Sequence, residues 1–179
     1  MFPGDKQALR QHVRDISKQY PEPLLKERSK DIIARIEAGD AFRRAINILV
    51  YWSMPGEVFT HDFIQRWYEN KRILLPCVRS EDLIIKTFKG RDRMVTGSAF
   101  GIAEPDTEDF LSLHQIDLVI VPGLAFDRHM NRLGRGKGYY DRLLTHMSAH
   151  KLGVCFDFQL FDEIPTGHTD VKMDDLISG

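Results

Sequence analysis

Apolar and polar positions along the 179-residue chain change period several times, and each change marks an element. In residues 5–19, Leu9, Val13 and Ile16 fall at helical spacing, with Asp5 placed to cap the first turn. Pro21 and Pro23 interrupt that pattern. A second helical set, Leu24, Leu25, Ile32, Ile33 and Ile36, predicts a helix over 24–38, with Gly39 suited to its C-cap and a short turn of helix following to Arg44. Residues 45–51 form a compact run of strand type, 53–57 the loop after it, and Thr60 caps a helix predicted to reach Asn70. Further strands are predicted over 73–76 and 83–88. Residues 89–113 have weak periodicity and turn signals at Gly90, Gly97, Gly101 and Pro105. A strand over 117–121 then runs into a glycine-rich loop, a helix over 139–146, a strand over 151–156 and a last strand over 169–177.

Strands alternating with helices predict an α/β sheet layered between helices. In such a sheet the ligand lies outside the carboxyl ends of the strands. Two predicted loops leave strands there: 52–59, which carries Glu57, and 122–137, which is rich in cations. They are expected to face one crevice. The length suits a single domain spanning 1–179.

Composition narrows the class. Hydrophobic residues at 42% and charged residues at 28% describe an ordinary soluble globular chain, and a net charge of −1 argues against general nucleic-acid binding. No apolar run reaches the length of a membrane span. The N-terminal residues lack the apolar core of a signal peptide. Cys77 and Cys155 each follow apolar residues and read as buried thiols of a reducing compartment. These features predict a cytoplasmic protein with no nucleic-acid or membrane partner, and a monomer is the expectation.

Charge is focused within that neutral whole. Residues 122–142 read PGLAFDRHMNRLGRGKGYYDR, and from 127 to 142 five cations and two acids give +3. Three alternating glycines (Gly134, Gly136, Gly138) sit among Arg132, Arg135 and Lys137, between a strand and a helix. There, backbone N–H groups and a helix N-terminus can hold phosphate. The spacing is neither that of the P-loop, since Gly138 follows Lys137, nor that of the dinucleotide fingerprint. On pattern alone a solvated, flexible surface loop competes with the anion cradle. The interleaving of glycine with cations favours close approach of backbone to an anion.

This stretch resembles the signature of the 5-formyltetrahydrofolate cyclo-ligase (methenyltetrahydrofolate synthetase) family. Weaker blocks occur in the family's order: KxxLR at residues 6–10, Ser53-Met54-Pro55-Gly56-Glu57, Gly101-Ile102-Ala103-Glu104-Pro105 and His168-Thr169-Asp170. The resemblance implies a three-layer α/β/α, Rossmann-like and mostly parallel sheet of the NagB/RpiA/CoA-transferase-like kind. It implies an ATP- and magnesium-dependent ring closure that turns 5-formyltetrahydrofolate into 5,10-methenyltetrahydrofolate, ADP and phosphate. The formyl oxygen is a poor leaving group until it receives the γ-phosphoryl group; N10 then attacks the activated carbon and phosphate departs. Such a transfer needs charge neutralisation and alignment.

The same resemblance implies residue roles. Lys6, Arg10 and the run Arg132, Leu133, Gly134, Arg135, Gly136, Lys137, Gly138, Tyr139 and Tyr140 would hold ATP, with Arg135 and Lys137 acting on the phosphates. Met54, Glu57, Phe100, Arg135 and Tyr139 would contact the folate, and Asp141 and Asp170 would bind Mg2+. Asp127 would shape the loop as a turn carboxylate. Three positions depart from the pattern: Met130 where glycine is usual, Gln7 where arginine is common, and Phe100 where tryptophan is frequent. A methionine is strained at Met130 if that position takes a positive φ. Two other classes fit the basic loop: a sugar-phosphate isomerase on a related sheet, and an RNA-binding module using the arginines with Tyr139 and Tyr140.

Overall fold

A computed structural model describes residues 5–97 and 101–179. Helix α1 (Lys6–Ser17) begins where the Asp5 carboxylate accepts from the N–H groups of Gln7 (2.7 Å) and Ala8 (3.2 Å). Helix α2 (Glu22–Ala38) starts before the predicted Leu24, because Pro23 sits in the first turn, where its missing N–H has no intrahelical partner to lose. After α3 (Asp40–Arg44) come β1 (Asn47–Val50), α4 (His61–Trp67), β2 (Arg72–Arg79) and β3 (Asp82–Thr87). Helix α4 ends three residues short of Asn70. The Thr60 hydroxyl makes no cap bond; it donates to the Tyr51 carbonyl at 2.6 Å and ties down the loop after β1.

Strand β2 runs through Pro76, where the sequence pattern ended it. Strand β1 pairs only with Arg72–Leu74, so Pro76 lies beyond that ladder and its missing N–H disrupts nothing there. The region of weak periodicity holds a two-stranded ribbon, β4 (Met94–Thr96) against β5 (Ala103–Pro105). Then follow β6 (Leu118–Pro122), β7 (Ala125–Asp127), β8 (Arg132–Leu133), α5 (Tyr139–Thr145), β9 (His150–Cys155), β10 (Leu160–Phe161) and β11 (Asp175–Ser178). The last strand begins at Asp175 rather than near Thr169. Residues 169–174 stay irregular, and Asp170 there closes a turn back to Gly167.

The main sheet has the order β11-β9-β6-β1-β2-β3, parallel except for β3 against β2. Alternate side chains enter different cores. Ile48, Val50, Ile73, Leu75, Leu118 and Ile120 pack with the buried residues of α2, α3 and α4. Leu49, Leu74, Val119, Val121 and Cys155 pack with Leu143 and Leu144 of α5. A sheet covered on both faces explains why β1 and β6 read as unbroken apolar runs.

The order reverses at β1: the chain moves to β2 on one side, and later to β6, β9 and β11 on the other. The crevice between the ends of β1 and β6 is therefore a topological switch point. The loop after β6 is more structured than predicted. Strands β7 and β8 form a hairpin extended by β10 into a small sheet, order β10-β7-β8. Its turn is shaped by Asp127, fully buried, whose carboxylate accepts from the N–H groups of His129, Asn131 and Ile164 at 2.9–3.1 Å. Met130 takes φ 65°, the left-handed conformation that closes a three-residue hairpin loop and normally favours glycine.

Candidate active site

A cleft of ≈ 920 Å³ opens at this switch point. One wall is the loop after β1. Met54-Pro55-Gly56-Glu57 is a tight turn in which Gly56 has φ 85° and the Glu57 N–H donates to the Met54 carbonyl at 3.1 Å, as a Pro-Gly sequence favours. The Glu57 carboxylate accepts in return from the Met54 N–H at 2.9 Å. The opposite wall is the glycine-rich loop between β8 and α5. Gly136 (φ 109°) and Gly138 (φ 70°) hold backbone conformations that a side chain would strain. Among the described residues, the N–H groups from Gly134 to Gly138 donate to no backbone or side-chain acceptor. An exposed row of unsatisfied donors is the property an anion cradle requires.

The two walls meet through charge. Arg135 donates from Nη2 to Glu57 Oε1 at 2.8 Å and from Nε at 3.3 Å; the carboxylate is 10% exposed and the guanidinium 43%. The expectation that the loop bearing the carboxylate faces the loop bearing the cations thus holds in detail. At one end, Lys6 of α1 pairs with Asp170 at 2.5 Å. Arg10 donates from Nε to the Gly134 carbonyl at 2.9 Å and lies beside Gly136. Lys137 is exposed and, among the described residues, has no acidic partner. Its ammonium is free to engage a ligand.

Two members of the expected ATP-holding run face inward. Leu133 packs with Leu9, Val13 and Ile164. The Arg132 side chain, 4% exposed, donates to the Pro122 carbonyl (3.3 Å) and to Asp141 Oδ1 (3.0 Å), and stacks over the Tyr140 ring at 5.5 Å. They shape the loop from beneath. Asp141, in the first turn of α5, also accepts from the Val171 N–H at 3.3 Å and lines the cleft, as does Asp170. Among the described residues, no group of three or more His, Cys, Asp or Glu side chains is gathered to hold a metal by itself. Tyr139 lies at the rim, with its hydroxyl 3.4 Å from the Ser80 carbonyl and Arg142 over its ring. Phe100 lies outside the described residues.

Other groups in the cleft escaped the sequence reading. Trp52 lines it and stacks on His61, ring centroids 3.9 Å apart. Burial pushes the His61 imidazole pKa down, against its contact with the Ser53 carbonyl, so the ring behind Trp52 is neutral at pH 7. The Tyr140 hydroxyl and Arg132 Nε are enclosed and, among the described residues, have no hydrogen-bond partner. Burial, with the Glu57 carboxylate second, pushes the Tyr140 phenol well above its ordinary range. The only advance signal for Trp52 was its place beside Met54; for the Tyr140 hydroxyl there was none.

Cys77 and Cys155 are buried and unbridged, and burial raises both thiols to about 12. No helix among the described residues is long and apolar enough to cross a membrane.

Known proteins share this architecture. Residues 3–179 match the 5-formyltetrahydrofolate cyclo-ligase family. The mitochondrial 5-formyltetrahydrofolate cyclo-ligase of Arabidopsis thaliana is 62% identical over 203 residues, covering 97% of this chain and 73% of the relative. The Haemophilus influenzae 5-formyltetrahydrofolate cyclo-ligase is 34% identical over 145 residues, covering 76% of this chain and 78% of the relative. The NMR structure of Aquifex aeolicus 5,10-methenyltetrahydrofolate synthetase superposes with a TM-score of 0.87 at 30% identity, covering 97% of this chain and 89% of that one. With a switch-point cleft walled by the signature loop and a match running nearly end to end, this chain belongs to the 5-formyltetrahydrofolate cyclo-ligase family.

Proposed function

We propose that this chain closes 5-formyltetrahydrofolate to 5,10-methenyltetrahydrofolate at the expense of ATP, in the presence of Mg2+, within the one domain formed by residues 1–179. The observation that carries the reading is the meeting of the two walls: amides and a Lys137 that have no partner among the described residues on one side, and Glu57 on the other, joined by Arg135. A phosphate chain suits the first wall, where backbone N–H groups, Lys137 and Arg135 neutralise charge and fix the γ-phosphoryl group in line with its acceptor. Folate N–H groups suit the second, where the Glu57 carboxylate accepts hydrogen bonds, with Met54 as an apolar neighbour. Lys6 and Arg10 reach the phosphate wall from α1.

Mg2+ is commonly held by one or two carboxylates together with substrate phosphates. Asp141 and Asp170, which line the same cleft, are a fitting pair of that kind. When bound, the ion would neutralise charge on the phosphates. Each carboxylate must then share its present cation, Arg132 or Lys6.

In the reaction, the formyl oxygen takes the γ-phosphoryl group and the N10 lone pair closes on the carbon. The carbon–oxygen bond breaks as phosphate leaves, and N10 loses its proton. The chain holds the two ligands and excludes misalignment. The buried, unpaired thiols support a reducing, cytoplasmic setting. Mixing the protein with ATP, Mg2+ and 5-formyltetrahydrofolate is expected to produce the methenyl chromophore. No chromophore, with an active control, would refute the proposal.

A further inference from the structure

Two arginines grip the glycine-rich loop by its carbonyls, one at each end. Arg10 of α1 donates to Gly134, and Arg142 of α5 donates from Nη1 to Lys137 at 3.1 Å. The rest of the Arg142 fork reaches the hairpin that joins β2 to β3, 60 positions back along the chain. There Nε donates to Asp82 Oδ1 at 3.0 Å and Nη2 to the Glu81 carbonyl, while the neighbouring Tyr139 hydroxyl lies 3.4 Å from the Ser80 carbonyl. The guanidinium also covers the Tyr139 ring, 5.5 Å from its centroid. Its approach depends on Gly138, where a Cβ would stand 2.9 Å from Nη1. The hairpin it grips has an unusual turn: Ser80 takes φ 55° at the first central position of a two-residue connection, where glycine is normal.

We infer that Arg142 is a positioning residue for phosphoryl transfer: it straps the glycine-rich loop to the β2–β3 hairpin and so fixes where Lys137 and its flanking amides point. The chemistry of an arginine fits the task. A planar guanidinium offers its N–H donors in a rigid fork, so one side chain holds a carboxylate and two carbonyls at fixed mutual angles. A carbonyl and the N–H of the next residue share one peptide plane, so holding the Lys137 carbonyl sets the direction of the Gly138 N–H. Without that hold, Lys137 stands between two glycines and has the freest backbone of the loop. A phosphate bound to an unfixed loop must order it first, which costs affinity and alignment. Asp82 is explained in the same way. It lines the cleft with the wrong charge for a phosphate, and its task is to hold Arg142.

This inference rests on the reading of the glycine-rich loop as the phosphate wall, and the test separates the two. Wild type, Arg142→Met, Arg142→Lys, Asp82→Asn and the Arg142→Met/Asp82→Asn double variant are titrated with a non-hydrolysable ATP analogue and with 5-formyltetrahydrofolate. Turnover is measured, and so is trypsin cleavage after Arg135 and Lys137 without ligand. Arg142→Met should weaken binding of the analogue about tenfold, the affinity equivalent of ordering one more loop residue on binding. Its kcat should fall as well, because Lys137 is misaligned, while folate affinity stays within about twofold. Cleavage of the free loop should be about tenfold faster, since its local opening is easier. Asp82→Asn should weaken the analogue about threefold. The double variant should match Arg142→Met within about twofold, because Asp82 acts through Arg142. Arg142→Lys keeps the charge without the fork and should not restore binding. Unchanged nucleotide affinity and cleavage in Arg142→Met, full rescue by lysine, additive losses in the double variant, or loss of both affinities with a lowered thermal midpoint would each overturn the strap. A wild-type protein that forms no methenyl product would instead overturn the reading of the cleft, and the cleavage rates would still decide the strap.

Discussion

Removing the two members of the Arg132–Asp141 pair separately should have unequal effects. Arg132 is 4% exposed and Asp141 20%. With Asp141→Ala the guanidinium stays buried, keeps one 3.3 Å bond to the Pro122 carbonyl, and has its Nε already unpaired. Water cannot reach it, so the loss approaches the ~3 kcal/mol seen when one partner of a buried pair is deleted. With Arg132→Met the stem is replaced by a methionine of similar length. Asp141 keeps the Val171 N–H and sits where water can approach, so the loss is about 1 kcal/mol. For 179 residues the unfolding entropy is about 0.4 kcal/mol per kelvin. The midpoint should therefore fall by about 8 °C in the first variant and about 3 °C in the second. Circular dichroism melts without nucleotide or metal measure both. An equal or larger fall in Arg132→Met would show that the pair is not the buried anchor described, and would return Arg132 to the ligand face of the loop.

Lys137→Ala should lower kcat by about a hundredfold or more while moving the midpoint by no more than about 2 °C, because the side chain is exposed and has no acidic partner among the described residues. Near-normal turnover would refute its phosphate role. Met130→Val should be less stable than Met130→Gly by about 2 kcal/mol in urea, since a β-branched residue at φ 65° is an outlier and glycine is at ease there. A valine variant as stable as the glycine one would refute the strain. The two thiols, raised to about 12 by burial, should resist an aromatic disulfide reagent at pH 8 until the protein unfolds. Titration of both within minutes in the folded state would contradict their placement.

The main sheet was legible because a strand covered on both faces needs no alternation, so β1 and β6 announce themselves as apolar runs. The Met54–Glu57 turn was legible because proline and glycine at its centre fix its conformation. The small sheet was not. Strands β7, β8 and β10 are two or three residues long, and β10 joins β7 from more than thirty residues away, so no local period reveals them. Charge was legible in sum but not in direction. Five cations between 127 and 142 predicted an anion site, yet only the fold shows that Arg132 turns inward to Asp141 while Lys137 is exposed. The strain suspected at Met130 was inferred from its place in the motif, and the backbone there is left-handed.

The Lys6–Asp170 contact joins residues 164 positions apart. During synthesis the glycine-rich loop and its Glu57 counterpart are made before Asp170, so the cleft lacks one end until that residue has emerged. The contact joins the first helix to a segment just before the last strand, and the loop-closure entropy of so long-range a pairing falls on one end of the cleft.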